Sequence, residues 1–512
     1  MELILLFFLS GLVRILLLCP NSSDNWLVWY SVRNQNKPWL NHAAYNSCIE
    51  GTMGSPKLQY YIVSLFPHKY QTLAGNFLNI AYDLIVLATL YVLSFAMSEG
   101  SNQRVTAFLV AVVYATAPIL LPPTARLTGV KARTLGGLLA FFYLLALEQA
   151  LLFNRPEFYL ACGVLSVLAV LGSAFAMQVI VFFSICLSIF YLSPAPALAA
   201  VVPVCLAYFI PGLGLKEIAR HKLNHYMWYF NNYAGTAANN RNDFAGLWRE
   251  IRVHRRYNVL LYHLFMTQSI LIALYSLPTT VILAWFLATD GQFVQLVGAN
   301  PAYTYYALIL LCSLILFVVT TTRSFRFLGE AERYFEYSLP FSCLLLVPLL
   351  DSGRLDFVAA LGLILYQVTV VFSVLFFKYR FEYKKAFESS EPDKEDLELI
   401  ELIAGLPDKE PKVLVVPTKH AFRLAALTAR DAGVRYLLYF VTTRIDGFRY
   451  MKKAFKHYEA LEYDFDFLRS EYGINTVVTV NELCRVLPEP TKAVLSRARV
   501  VAQNGKYTLY TL

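Results

Sequence analysis

Charge is what this chain has least of. Asp, Glu, Lys and Arg together make up 15% of its 512 residues, against 57% apolar and 15% aromatic residues, whereas a soluble domain carries about 25% charged residues. That shortage excludes a soluble globular protein over most of the chain. Cysteine is also sparse. Cys19, Cys48, Cys162, Cys186, Cys205, Cys312, Cys343 and Cys484 lie far apart, most of them inside apolar runs, which excludes a disulfide framework and offers no metal-ligand spacing. There is no Gly-rich phosphate loop: the strand-like run KVLVVP leads into Pro417-Thr418-Lys419 rather than G-x-G-x-x-G. The hydropathy pattern shows no internal repeat, and few spans are interrupted by Gly or Pro in the manner of transporters.

Long apolar runs are abundant instead. A helix needs about 20 apolar residues to cross a bilayer, and runs of this kind predict eleven spans, near 2–19, 74–97, 105–122, 134–153, 157–173, 177–193, 195–213, 265–288, 303–322, 338–350 and 356–377. The first run, Leu3–Leu18, has no basic leader and no small-x-small cleavage site, so it is expected to be retained as a span. The fold class expected is a polytopic α-helical membrane protein with a small C-terminal α/β domain. Half of the 44 Lys and Arg residues and 19 of the 35 Asp and Glu residues fall after Phe377, so that last quarter of the chain reads as water-soluble. The division expected is a membrane domain over 1–377, a juxtamembrane anchor and linker over 378–411, and a soluble domain over 412–512. In the last, KVLVVP, RYLLYFVT and TVVTV read as strands, HAFRLAALTARDAG and YDFDFLRSEYGI as helices, and the end as a hairpin turning at Asn504-Gly505.

With alternating spans, the long polar connections 20–73, 214–264 and 323–338, and the smaller turn at Pro122–Arg133, share one face. The other face has only tight turns. Function belongs on the built-up side. There LKEIARHKLNHYMWYFNNY and LWREIRVHRRY mix basic and aromatic residues, which suits interfacial anchoring or guidance of a lipid-linked phosphate.

Ionisable groups within apolar runs are costly and need partners. Arg14 and Asp83 are expected to pair if their helices are adjacent, and Glu148 is the third such group. Asp24, in SSDNWLVWY, lies just past the first span. Two readings of it stand open: a partly desolvated general base, or a cap on a helix that begins at Asn25 or Trp26. In RSFRFLGEAERYFEYSLPF, Arg333 is suited to bidentate contact with a phosphate or carboxylate. The alternative is an i, i+3 ladder of Glu330, Arg333 and Glu336 that stabilises a short helix. Trp26, Trp29, Tyr30, Tyr60 and Tyr61 are available to stack on sugars or to form an interfacial belt.

Several of these features together resemble the GT-C superfamily of membrane glycosyltransferases, which use polyprenyl-phosphate-linked sugars. They are the first span with SSDNW directly after it, the segment GTMGSPKLQYY, the late loop GEAERYFEYSLPF, and the C-terminal α/β domain. The resemblance implies a glycosyltransferase, hexosyl or pentosyl, that moves a sugar from a polyprenyl-phosphate donor to a hydroxyl of a glycan, lipid or protein acceptor, in cell-envelope glycan biosynthesis. Asp24 would be the catalytic base. Arg126, Lys131, Arg133 and Arg333 would neutralise the donor phosphate, and His42, Tyr60, Glu330, Glu332 and Tyr334 would contact substrate. Many members carry two adjacent acidic residues where this chain has Asp24-Asn25, so a metal-dependent version is not implied, and no cofactor and no nucleic-acid partner is expected. The implied location is the plasma membrane, with the site and C-terminal domain extracytoplasmic. Counting positive charges points the other way, since only Arg104, Arg155 and Arg354 lie on the short-turn face. A transporter or flippase of a lipid-linked glycan is the alternative function.

Overall fold

The computed structural model describes residues 2–16, 25–33, 44–49, 56–99, 102–121, 132–228, 252, 268–381, 393–408, 410–429, 432–438 and 463–512. The chain forms two compact units, one of Met1–Cys19, Thr72–Ala207 and Asn240–Ala386, the other of Pro20–Gln71, Tyr208–Asn239 and Phe387–Leu512. This partition differs from the linear one, because the connection after the first span belongs with the C-terminal residues.

The first unit is helical. Gln71–Met97, Arg133–Leu152, Pro301–Thr321 and Phe357–Phe376 are long and apolar enough to cross a membrane. Large apolar side chains such as Phe77, Leu365 and Phe372 stay exposed on these helices, as a lipid-facing surface requires. Ser269–Ser276 and Pro278–Thr289 together make a fifth candidate, bent by 82°. The bend falls at Leu277-Pro278, where proline disfavours helical geometry in the residue before it. Among the described residues five further apolar helices are only 10–17 residues long, so long continuous helices there do not account for the expected eleven spans. The run expected to span at 338–350 is divided between Arg333–Leu344 and Leu346–Asp351, and almost every side chain in it is buried by protein. Caps set the helix starts: Asn300 accepts from the Ala302 amide ahead of Pro301–Thr321, and Asp290 accepts from the Gln292 and Phe293 amides.

Arg14 and Asp83 pair as the apolar runs around them demand. Arg14 Nε donates to Asp83 Oδ2 at 2.7 Å, Arg14 Nη1 donates to Ser10 Oγ, and Tyr114 donates to Asp83 Oδ1 at 3.2 Å. Both charges are fully buried, and the surrounding hydrogen bonds offset their desolvation.

The second unit is built on a five-stranded sheet of β1 (Lys412–Val416), β2 (Arg435–Tyr436), β3 (Thr476–Val480), β4 (Arg499–Gln503) and β5 (Tyr507–Thr511), in the order β2-β1-β3-β5-β4. β1 runs parallel to β2 and β3, and the β4–β5 hairpin is antiparallel. The central strands β1 and β3 are almost wholly buried, consistent with their continuous Val-rich runs. The strands expected at KVLVVP and TVVTV, a helix within YDFDFLRSEYGI and the closing hairpin are present; of RYLLYFVT only Arg435–Tyr436 is strand and residues 439–442 lie outside the described residues, and the helix expected up to Gly433 stops at Leu427.

The connection after the first span completes this sheet. Ser47 bridges Tyr436 in parallel: the Cys48 amide donates to the Tyr436 carbonyl at 2.9 Å, and the Tyr436 amide donates to the Asn46 carbonyl at 2.8 Å. The Asn25–Arg33 helix packs on the Ala421–Leu427 helix. Tyr30 is buried in that core, stacked on Tyr45 at 5.4 Å and edge-on to Phe422 at 5.8 Å, and its hydroxyl donates to the Tyr45 carbonyl. Tyr30 and Trp29, expected to stack on sugars or sit in an interfacial belt, are instead buried core residues of this unit.

Candidate functional site

In the first unit the candidate residues gather where two chain segments meet. Arg133 opens the Arg133–Leu152 helix. A 3₁₀ turn over Arg323–Leu328 ends at Gly329, whose φ of +114° lets the chain reverse into Glu330-Ala331-Glu332 and the Arg333–Leu344 helix. Arg133 Nε donates to Glu336 Oε2 at 3.0 Å, and its Nη2 donates to Glu336 Oε1, giving a two-pronged contact with a buried carboxylate. Arg333 pairs with Glu330, and its guanidinium lies 5.8 Å from the Phe175 ring centroid. Phe175 packs on Tyr334 and Tyr337. Gln178 donates to the Tyr334 hydroxyl at 2.6 Å and to the Leu328 carbonyl. Ser313 donates to the Tyr334 carbonyl. Glu332 is buried beside these groups.

Five predicted site residues, Arg133, Arg333, Glu330, Glu332 and Tyr334, therefore share one cluster, together with Glu336. The i, i+3 reading holds for Glu330 and Arg333, but Glu336 turns to Arg133. Within this set two guanidinium groups meet three carboxyl groups, so both cations reach the site with counter-ions. What the set presents is carboxylate acceptors and fixed N–H donors, the groups that bind hydroxyl-rich ligands.

In the second unit Tyr60 is half-buried on the Leu58–Ser64 helix. The structure adds two neighbours that the sequence did not mark. Lys57 is 2% exposed and its Nζ has no hydrogen-bond partner among the described residues; Gln59 is 0% exposed and neither end of its amide is bonded among them. Burial pushes the Lys57 ammonium down to about 6, against the opposing pull of Glu217. A lysine in a polar loop reads as solvated, and no acidic residue stands three or four positions away to flag it. Asp24, His42, Arg126 and Lys131 lie outside the described residues. In the sequence Asp24 is followed by the helix Asn25–Arg33. Of LWREIRVHRRY only Arg252 is described, whereas LKEIARHKLNHYMW forms the expected helix, Leu215–Trp228. Among the described residues no group of three His, Cys, Asp or Glu side chains is arranged to hold a metal.

The fold is similar to that of a solved oligosaccharyltransferase. The chain superposes on the oligosaccharyltransferase of Archaeoglobus fulgidus, solved in complex with zinc and sulfate, with a TM-score of 0.51, at 12% identity, covering 94% of this chain and 68% of that one. At that identity the likeness is one of fold, and at that level the GT-C resemblance read from the sequence holds. ArnT from Cupriavidus metallidurans bound to undecaprenyl phosphate is also similar, with a TM-score of 0.41 at 11% identity, covering 99% of this chain and 97% of that one. No protein-family model and no curated protein matches the sequence.

Proposed function

We propose that this protein is an integral membrane glycosyltransferase that moves a sugar from a polyprenyl-phosphate-linked donor to a hydroxyl of a glycan, lipid or protein acceptor. The observation that carries this reading is the fold, shared over nearly the whole chain with an oligosaccharyltransferase. The SSDNW and GEAERYFEYSLPF segments add sequence-level support. In the proposed reaction the acceptor oxygen forms a bond to the sugar's anomeric carbon as the bond from that carbon to the phosphate oxygen breaks. The acceptor proton passes to the Asp24 carboxylate, and the lipid phosphate leaves with the bonding electrons. Such a transfer has an oxocarbenium-like transition state, so it needs a base for the hydroxyl and donors for the departing phosphate.

Arg133 and Arg333, held in one cluster with Glu336 and Glu330, are assigned to the donor phosphate. Arg126 and Lys131 supply further charge in the connection that leads to Arg133. Glu330, Glu332, Tyr334, Tyr60 and His42 are assigned to substrate hydroxyls. The site and the second unit are assigned to the extracytoplasmic side of the plasma membrane. Thiol labelling of Cys484 in intact cells tests that assignment, which protection of Cys484 until permeabilisation would reverse. For the reaction, Asp24→Asn is expected to fold and reach the membrane while losing transfer from a polyprenyl-phosphate donor. Retained turnover in that variant removes Asp24 from the mechanism.

A further inference from the structure

The helical unit holds a cavity of about 590 Å³ lined by Leu93, Phe142, Leu145, Phe153 and Phe158 among others, and by one buried acid, Glu148. It lies at the end of the bundle marked by Met97, the last residue of its helix, and Ala302, near the first of another. Arg133 and Glu148 sit on one helix, about 22 Å apart along its axis at 1.5 Å per residue, so this cavity is separate from the cluster around Glu336.

Glu148 is 4% exposed, and its one hydrogen-bond partner among the described residues is Tyr306, which donates to Oε1 at 3.0 Å. The nearest basic side chain along the chain, Arg155, donates to Gln149 rather than to this carboxyl. A carboxyl group in an apolar setting is expensive unless a donor or cation satisfies its second oxygen. Apolar walls around a single acid, in a space of ligand size, define a receptor for an apolar molecule with a cationic end.

We propose that this cavity binds an aliphatic amine, its chain against the Phe and Leu walls and its ammonium on Glu148. An anionic head would meet the Glu148 carboxylate and be repelled, and a plain alkane would leave that carboxylate unanswered.

The test uses the full chain in detergent and a diazirine-bearing dodecylamine as photolabel. Labelling is expected within residues 142–165, displaced by dodecylamine about tenfold better than by dodecanoic acid, because a charge-assisted contact is lost with the acid. Glu148→Gln is expected to weaken dodecylamine competition about tenfold. Ala161→Trp, which fills the cavity from the neighbouring helix, is expected to abolish the labelling, with size-exclusion behaviour unchanged. Should Glu148→Gln fail to fold, the amine-over-acid preference of the unaltered protein and the Ala161→Trp result decide the matter. Labelling elsewhere, labelling that survives Ala161→Trp, or equal displacement by the acid overturns the proposal.

Discussion

Glu336 holds Arg133 through both carboxylate oxygens, with Arg133 Nε 3.0 Å from Oε2, and so ties the start of one membrane-length helix to the segment that follows another. The pair is far apart in sequence and almost wholly buried, with side-chain exposures of 14% and 1%. Truncating one member leaves a buried charge without its partner. Glu336→Ala is therefore expected to lower stability by about 3 kcal/mol or more, read as a fall in the apparent unfolding temperature in detergent. Arg133→Met combined with Glu336→Leu is expected to recover most of that loss. Losses that simply add in the double variant would show that the two side chains act independently.

Lys57 makes stability depend on pH. Its folded-state value, near 6, lies below the ordinary lysine value of 10.5 because burial disfavours the charged form. Between those two values the unfolded chain binds a proton that the folded chain does not, so stability rises with pH, by up to about 1.4 kcal/mol per pH unit. Lys57→Met removes this dependence. The variant is expected to unfold at a higher temperature than the unaltered protein at about pH 6.5, with the gap shrinking towards about pH 9.5. A gap constant across that range would mean that Lys57 keeps its charge in the folded protein.

These two cases mark where the sequence stops being informative. Arg14 and Asp83 are legible as a pair because each stands alone in an apolar run and carries a charge that needs a partner there. Asn504-Gly505 is legible because turn chemistry is local. The Glu330–Arg333 pair, three residues apart, is local too. The partnership of Arg133 with Glu336 is not, since the loop carries several acids of similar spacing and only packing selects among them. The same holds for Tyr30 and Phe422, nearly 400 positions apart: an aromatic beside a membrane span reads as a belt residue until the sheet it completes is known. Lys57 is missed for the converse reason, because its burial comes from tertiary neighbours that no pattern around it announces.

Tyr30 tests whether the segment after the first span is structurally part of the second unit. Truncation to Ala removes a fully buried ring and its hydroxyl contact, a loss of about 3–5 kcal/mol. Cys48 sits in the stretch that Tyr30 helps to hold, with Sγ 3.3 Å from the Arg435 carbonyl. Tyr30→Ala is expected to raise the rate of Cys48 alkylation several-fold in the folded protein. Normal Cys48 protection together with lost sugar transfer would instead assign Tyr30 to substrate.

Gly329 permits the reversal that brings Arg333, Glu330 and Tyr334 to Arg133. Its φ of +114° is strained for any residue with a side chain, and a Cβ added there would stand 2.9 Å from Phe175 Cε2. Gly329→Ala therefore meets two obstacles, one in the backbone and one in the Phe175 ring, together worth about 1–3 kcal/mol. Under the proposed function the larger effect falls on the reaction, because displacement of Phe175 disturbs the ring that packs on Tyr334 and lies under Arg333. Gly329→Ala is expected to cut the transfer rate at least about tenfold while lowering the unfolding temperature by only a few degrees. Adding Phe175→Ala relieves the clash without touching φ, so it is expected to restore part of the stability and little of the rate. Full recovery of the rate in the double variant would show that Phe175 has no part in positioning Arg333 and Tyr334.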